Sequence, residues 1–516
     1  MIAILLHAHL PFIRHPEHDH FLEEDWLFEA ITETYLPLLD LFFRLAEEGV
    51  PFRIAMTVTP TLTHMLRDPL LLARYDRHLA CLIALAESEA RRLRGASAEA
   101  ARFHLLRLFR VREWWEEMDR DIVSALEKLQ DHGLELVACA ATHGFLPLME
   151  LPSSVDAQVR LGIASHREMF GREPAGFWLP ECAYSPGLDE VLARHGIQWT
   201  ALDSHGLMRA DPKPRNAVWT PVFAPSGVAV FGRDRDSARQ VWSAADGYPG
   251  HEDYREFYRD AGWDAPLDAL HPFLHDGQRK FTGLKLHRIT GRDPKDPYDR
   301  AAAMRAVELH ATHFVDERTA QLRTLRECID GLPVVFAPFD AELFGHWWFE
   351  GPEWLEAVIR KCAASREVAL TSPAAYLRAH DALQVVQPAA SSWGDAGHWG
   401  VWLDPANAWI YPPLHEMEKR MADLARTAGE VSALKHRALS QLARELLLAQ
   451  SSDWAFLMRA GTARDYATQR TRTHIRRFET LADELAADQI DEPSLAIMEG
   501  RDNFMPDIDW RVFASV

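Results

Sequence analysis

The stretch Met1–Phe12 reads MIAILLHAHLPF. Six apolar residues run without a break, and two histidines, His7 and His9, then flank an alanine. Such a run reads as a strand buried on both faces, the habit of parallel sheets covered by helices. The polar residues mark the strand's tip. The same pattern recurs along the chain. Phe52–Val58, Leu134–Ala140, Gly176–Leu179, Gln198–Leu202, Gly227–Phe231 and Leu332–Ala337 are apolar runs, with Thr282–Lys285 and Ala369–Ser372 as weaker ones. Helical text separates them at Leu22–Glu48, Ala157–Phe170, Pro186–His195, Arg300–Gly331 and Pro352–Ser365. Strand, long connection, strand implies parallel pairing with helices outside. Six or more such units, with no GxGxxG after a strand, favour a closed or nearly closed β/α barrel over a doubly wound sheet.

Two regions depart from that alternation. Leu70–Leu129 is too long for one crossover helix and reads as an inserted helical subdomain at about 66–132. After residue 382 a Trp/Gly-rich loop, Ser391–Pro413, leads into helices at Leu414–Thr427, Val431–Gln450 and Tyr466–Ala487. The expected organisation is a catalytic barrel over 1–382 and a C-terminal α-helical domain over 383–516, whose Trp-rich loop reaches the cleft.

The chain has 516 residues, with 56 Lys plus Arg against 76 Asp plus Glu, a net charge of −20. That charge argues against a nucleic-acid binder, which needs a basic face, and against docking on anionic lipid. Five scattered cysteines without a CxxC pair exclude a disulfide framework and a zinc knuckle. The N-terminal run lacks a basic flank and a cleavage site, and no run of 18 apolar residues occurs, so a cytoplasmic location is expected.

Four strand tips carry reactive groups: His7 and His9; Thr142 and His143; Glu181; and Asp340 with Glu342. In a β/α barrel such tips converge at one mouth. Seventeen tryptophans, many in turn-rich text (Trp178, Trp242, Trp347, Trp348, Trp393, Trp399, Trp402, Trp409), suit a cleft whose flat rings stack on sugars. Two carboxylates beside such a cleft suggest glycoside chemistry, one attacking the anomeric carbon and one donating a proton. The competing reading is a zinc site built from the His7/His9 pair with Asp340 or His143, as in a barrel deacetylase or mannosidase. A non-catalytic glycan-binding protein would leave both carboxylates idle.

HAHLPF, ATHGFLPLM, GFWLPECAYSPGLDEVL, FAPFDAELFGHWWFEGPEWL and SSWGDAGHWGVWLDPANAWIYP resemble the five ordered motifs of glycoside hydrolase family 57. EEDWLFEAITETYLPLL and GRDRDSARQVWSAADGYPG are similar to its 1,4-α-glucan branching enzyme branch. The resemblance implies a (β/α)7-type barrel and a retaining mechanism on α-1,4-glucan, without metal or cofactor. It implies that Glu181 is the nucleophile and Asp340 the acid/base. It places His7, His9 and His143 around the reacting sugar, and Arg233, Trp242, Gly250, Trp393, Trp402 and Asp453 against the glucan, with Trp26 a weaker candidate. Glu342 and Asp395 read as supporting or solvated groups.

One departure bears on the reaction. Branching enzymes of this family carry a mobile loop after the nucleophile segment that sets a tyrosine over the reacting bond. Here Ala201–Phe223, ALDSHGLMRADPKPRNAVWTPVF, is short and holds no tyrosine, and Tyr248 in GYPG is the one stand-in. Weak branching and prominent hydrolysis of α-1,4-glucan are therefore expected.

Overall fold

The structure is a computed structural model and describes residues 1–243, 246–380 and 382–514. Seven parallel strands curl into a barrel: β1 (Ile2–Ala8), β2 (Ile54–Val58), β3 (Leu134–Cys139), β4 (Gly176–Trp178), β5 (Trp199–Leu202), β7 (Ala229–Gly232) and β8 (Val335–Asp340). A two-residue strand, β6 (Val222–Phe223), pairs antiparallel with β7, so the order is β6-β7-β5-β4-β3-β2-β1-β8. The two ends of the parallel set meet at one isolated bridge. Arg233, just past β7, pairs with Phe336 of β8, and the Asp234 N–H donates to the Phe336 carbonyl at 2.8 Å.

Every residue of β1 and β2 is buried, as the unbroken apolar runs require when helices cover a strand that also faces the barrel interior. The Pro152–Phe170 helix lies so close to β3 that a side-chain carbon at Gly162 would meet the Cys139 carbonyl oxygen at 1.9 Å. Only glycine fits that approach.

The expected Leu22–Glu48 helix forms as Glu24–Ala30 and Leu36–Glu47, joined by a π-helical turn, Ile31–Tyr35. The Leu70–Leu129 stretch resolves into an antiparallel pair, Pro69–Arg92 and Gly95–Glu117, and a separate helix, Ile122–Leu129. That last helix packs on Leu36–Glu47 and Pro152–Phe170, as a barrel crossover helix does. Thr282–Lys285 is not a strand but irregular backbone, and Ala369–Ser372 contributes one bridge, Leu370 to Ile2. Past residue 382 come Tyr411–Thr427, Ala433–Ala449, Ser452–Ala460, Arg464–Ala487 and Glu492–Arg501. Among the described residues no helix is long and apolar enough to cross a membrane.

Candidate active site

The tips of β1, β3, β4 and β8 meet at the C-terminal mouth, as their register dictates: His7 pairs with Asp340 across β1 and β8, and Cys139 with Trp178 across β3 and β4. Glu181 sits three residues beyond β4 in a left-handed conformation, φ 62°, and His143 follows β3 at φ 54°. Such backbone is costly for residues with a β-carbon and collects where a side chain must be aimed.

Both oxygens of the Glu181 carboxylate have donors. The Trp393 indole N–H donates to Oε2 at 2.8 Å, and the Ser452 hydroxyl to Oε1 at 3.0 Å. The Trp393 backbone N–H also bonds the Glu181 carbonyl at 3.0 Å. His143 Nδ1 lies 2.9 Å from the same Ser452 hydroxyl, and His143 Nε2 lies 3.0 Å from His7 Nε2. His7 Nδ1 faces the Thr57 hydroxyl at 3.4 Å. His9 bonds Thr59 through Nδ1 and Asp453 through Nε2, each at 2.9 Å, and stacks on His143 with centroids 3.8 Å apart. All six ring nitrogens of the three histidines therefore have protein partners.

Asp340 differs from Glu181. It ends β8 without capping the turn that follows, and among the described residues no donor reaches its carboxylate. Burial, then the neighbouring Glu342 and Glu181 charges, push its carboxyl well above the usual carboxylate range. Burial also pushes Glu181 up, to about 7, but the Trp393 and Ser452 donors work against that by favouring its anion. Two carboxyls in one mouth thus have their proton affinities pulled apart, with Asp340 the better proton carrier and Glu181 the better anion.

His9 and Asp453 form an ion pair. Burial would strip the charge from each, but their mutual attraction outweighs it, raising His9 and holding Asp453 down to about 2. The Asp453 contribution to stability is present above 3.8 and lost as pH falls through about 2. That of His9 is complete below 6.5 and lost as pH rises through its raised value. Asp453→Asn is expected to cost about 2 kcal/mol, with its deficit in Tm largest between those two ordinary values. A deficit that stays constant from pH 2 to 9 would contradict the ion pair.

Glu342 is not solvated. The Tyr35 hydroxyl of the π-helical turn donates to it at 2.6 Å, and it accepts the His9 backbone N–H at 3.1 Å. Arg233 lies over the Trp393 ring at 5.5 Å and 3.7 Å from Asp203, rather than pairing with Asp234 or Asp236. Trp402 is only 2% exposed and packs on Phe145, so it supports the Trp393 loop from beneath. Trp242 is 49% exposed at the end of its helix, and Gly250 lies in the turn Tyr248–Gly250; neither joins the hydrogen-bonded set. Trp26 is half-buried, edge-on to Tyr466. Asp395 is exposed. Tyr248 is buried, stacked on His310 and hydrogen-bonded to His313 at 2.8 Å, both in the Arg300–Cys328 helix. Ser452, Thr57 and Thr59 escaped the sequence reading because short hydroxyl residues carry no pattern of their own.

His9, His143 and Asp453 hold ligand atoms within 4.8 Å of one another, a set different from the His7/His9 pair with Asp340 or His143 read from the sequence. A cation there would have to displace the His9–Asp453 bond and the contacts of His143 with His7 and Ser452.

Residues 3–384 match glycosyl hydrolase family 57, and residues 413–513 match the C-terminal region of 1,4-alpha-glucan branching enzymes. The chain belongs to glycosyl hydrolase family 57, a family of glycoside hydrolases and transferases. It is 33% identical to the 1,4-alpha-glucan branching enzyme TK1436 of Thermococcus kodakarensis, over 97% of this chain and 77% of that protein. Among solved structures it superposes on the α-amylase AmyC of Thermotoga maritima with TM-score 0.94 and 42% identity, over 100% and 99% of the two chains. The branching enzyme of Pyrococcus horikoshii gives TM-score 0.91 and 33% identity, over 100% and 96%.

Proposed function

We propose that this protein cleaves α-1,4-glucan with retention of configuration, through a covalent glucosyl–Glu181 intermediate. The observation that carries this reading is the asymmetric carboxyl pair: Glu181 held as an anion by two donors, and Asp340 left without one among the described residues. Asp340 protonates the departing glycosidic oxygen while Glu181 attacks the anomeric carbon; Asp340 then takes a proton from the acceptor that displaces Glu181. Arg233, Trp242, Gly250, Trp393 and Asp453 are the proposed glucan-side residues, and Trp402, buried beneath the Trp393 loop, backs that surface from behind. The barrel over 1–382 and the helical part over 383–516 act as one catalytic unit, since Trp393 and Ser452 come from the second.

The acceptor decides the product. A glucan 6-hydroxyl gives a branch, and water gives hydrolysis. The branching-enzyme relatives and the matched C-terminal region favour the first. The short segment after β5 favours the second. Its tip is fastened away from the mouth: the Arg215 N–H donates to the Gln384 side chain at 2.8 Å, Asp211 pairs with Gln387, and Asn216 reaches the Asp330 carbonyl at 2.9 Å, before β8 begins. No tyrosine lies in it, and Tyr248 is committed to His313. Tied down in this way, the tip is not free to fold over the intermediate and shield it from water. On amylose, new reducing ends are expected to outnumber new α-1,6 linkages. An excess of branch points with little reducing sugar would assign the branching reaction instead.

A further inference from the structure

We infer that Ser452 is a positioning residue for Glu181, the terminus of a one-way hydrogen-bond chain that begins at Thr57 and passes through His7 and His143. This inference rests on Glu181 being the nucleophile.

The direction of the chain follows from donor counting. The ionised Glu181 carboxylate only accepts, so the single hydroxyl proton of Ser452 points at Oε1. Ser452 must then accept from His143, which places the His143 proton on Nδ1. Burial keeps His143 and His7 neutral. His143 Nε2 is therefore a bare acceptor, and His7 must present Nε2–H to it. His7 Nδ1 is left as an acceptor for the Thr57 hydroxyl. Each link has one allowed orientation, so Thr57, His7, His143 and Ser452 together hold one Glu181 oxygen, while Trp393 holds the other.

Ser452 has no competing structural duty. It is the first residue of the helix Ser452–Ala460, after the N-cap Ser451, and its hydroxyl's partners are Glu181 and His143. It is 3% exposed, which screens those bonds from solvent. The groups around Glu181 come from several walls of the mouth: His9 just past β1, His143 beyond β3, Trp393 from the loop after residue 382, Asp340 at the end of β8 and Asp453 from the helix itself.

The test is Ser452→Ala in the full-length protein, assayed on amylose across pH, beside Ser452→Thr and Glu181→Gln. Ser452→Ala is expected to lower kcat about 10-fold to 100-fold with KM unchanged. Its acidic limb should move to higher pH, because the Glu181 anion has lost a donor. Ser452→Thr, which restores a hydroxyl, should recover most of the turnover together with any Tm lost in Ser452→Ala through the unpartnered His143 Nδ1–H. An unchanged kcat and pH profile in Ser452→Ala, with Glu181→Gln inactive, would overturn the positioning role alone. A raised KM with lowered Tm, not rescued by threonine, would overturn it too, as a packing effect. Substantial turnover by Glu181→Gln would instead overturn the nucleophile assignment.

Discussion

Glu181→Gln lowers amylose turnover by about 10⁴-fold or more while the protein stays folded, if the carboxylate is the attacking group. The substitution keeps side-chain shape but removes the negative charge that makes the oxygen nucleophilic enough to form the glycosyl bond. The burial that pushes Glu181 up to about 7 means the wild-type charge is held at a cost in stability, so the neutral amide should leave Tm unchanged or slightly raised. In the wild type, activity should fall as pH drops below about 7, since protonation silences the attacking oxygen. Circular dichroism and amylose kinetics on the same preparations check both halves. A variant that keeps a tenth of wild-type turnover would remove Glu181 from the reaction.

Asp340→Ala should lose about 10²-fold to 10⁴-fold on amylose, whose leaving oxygen needs a proton. It should lose far less on a maltooligosyl fluoride, because fluoride departs without one. Added azide should then intercept the covalent intermediate and give an α-glycosyl azide, configuration retained overall. In Glu181→Ala the same reagent attacks the fluoride directly and gives the β-azide. Product anomers read by NMR decide the assignment: β-azide from Asp340→Ala would mean that the two roles are exchanged.

Much of the barrel was legible because β1, β2, β3 and β8 are buried on both faces and so spell continuous apolar runs. The short β6 was not, since two residues at a sheet edge carry no period. Nor was the break of Leu22–Glu48 at the π-helical turn, because Ile31 and Tyr35 keep the i, i+4 apolar spacing of a helix while the hydrogen bonds shift by one residue. At the site, Glu181, Asp340 and the three histidines stood out by residue type at strand tips. What each of them touches did not. The histidines read as groups around the reacting sugar, whereas their ring nitrogens face Thr57, Thr59, Ser452, Asp453 and one another. Those partners lie 50 to 444 residues away along the chain, and only the fold brings them together. Glu342 read as a supporting or a solvated group, and the bond from Tyr35, 307 residues away, makes it the first.

The single bridge between Arg233 and Phe336 leaves the staves on that side joined by one rung, where β1 and β8 share six paired positions. Thermal breathing should start at this joint, and the Asp234 amide should trade its hydrogen for deuterium sooner than those of β1. Riveting the gap with an engineered covalent link would trade that breathing for heat resistance.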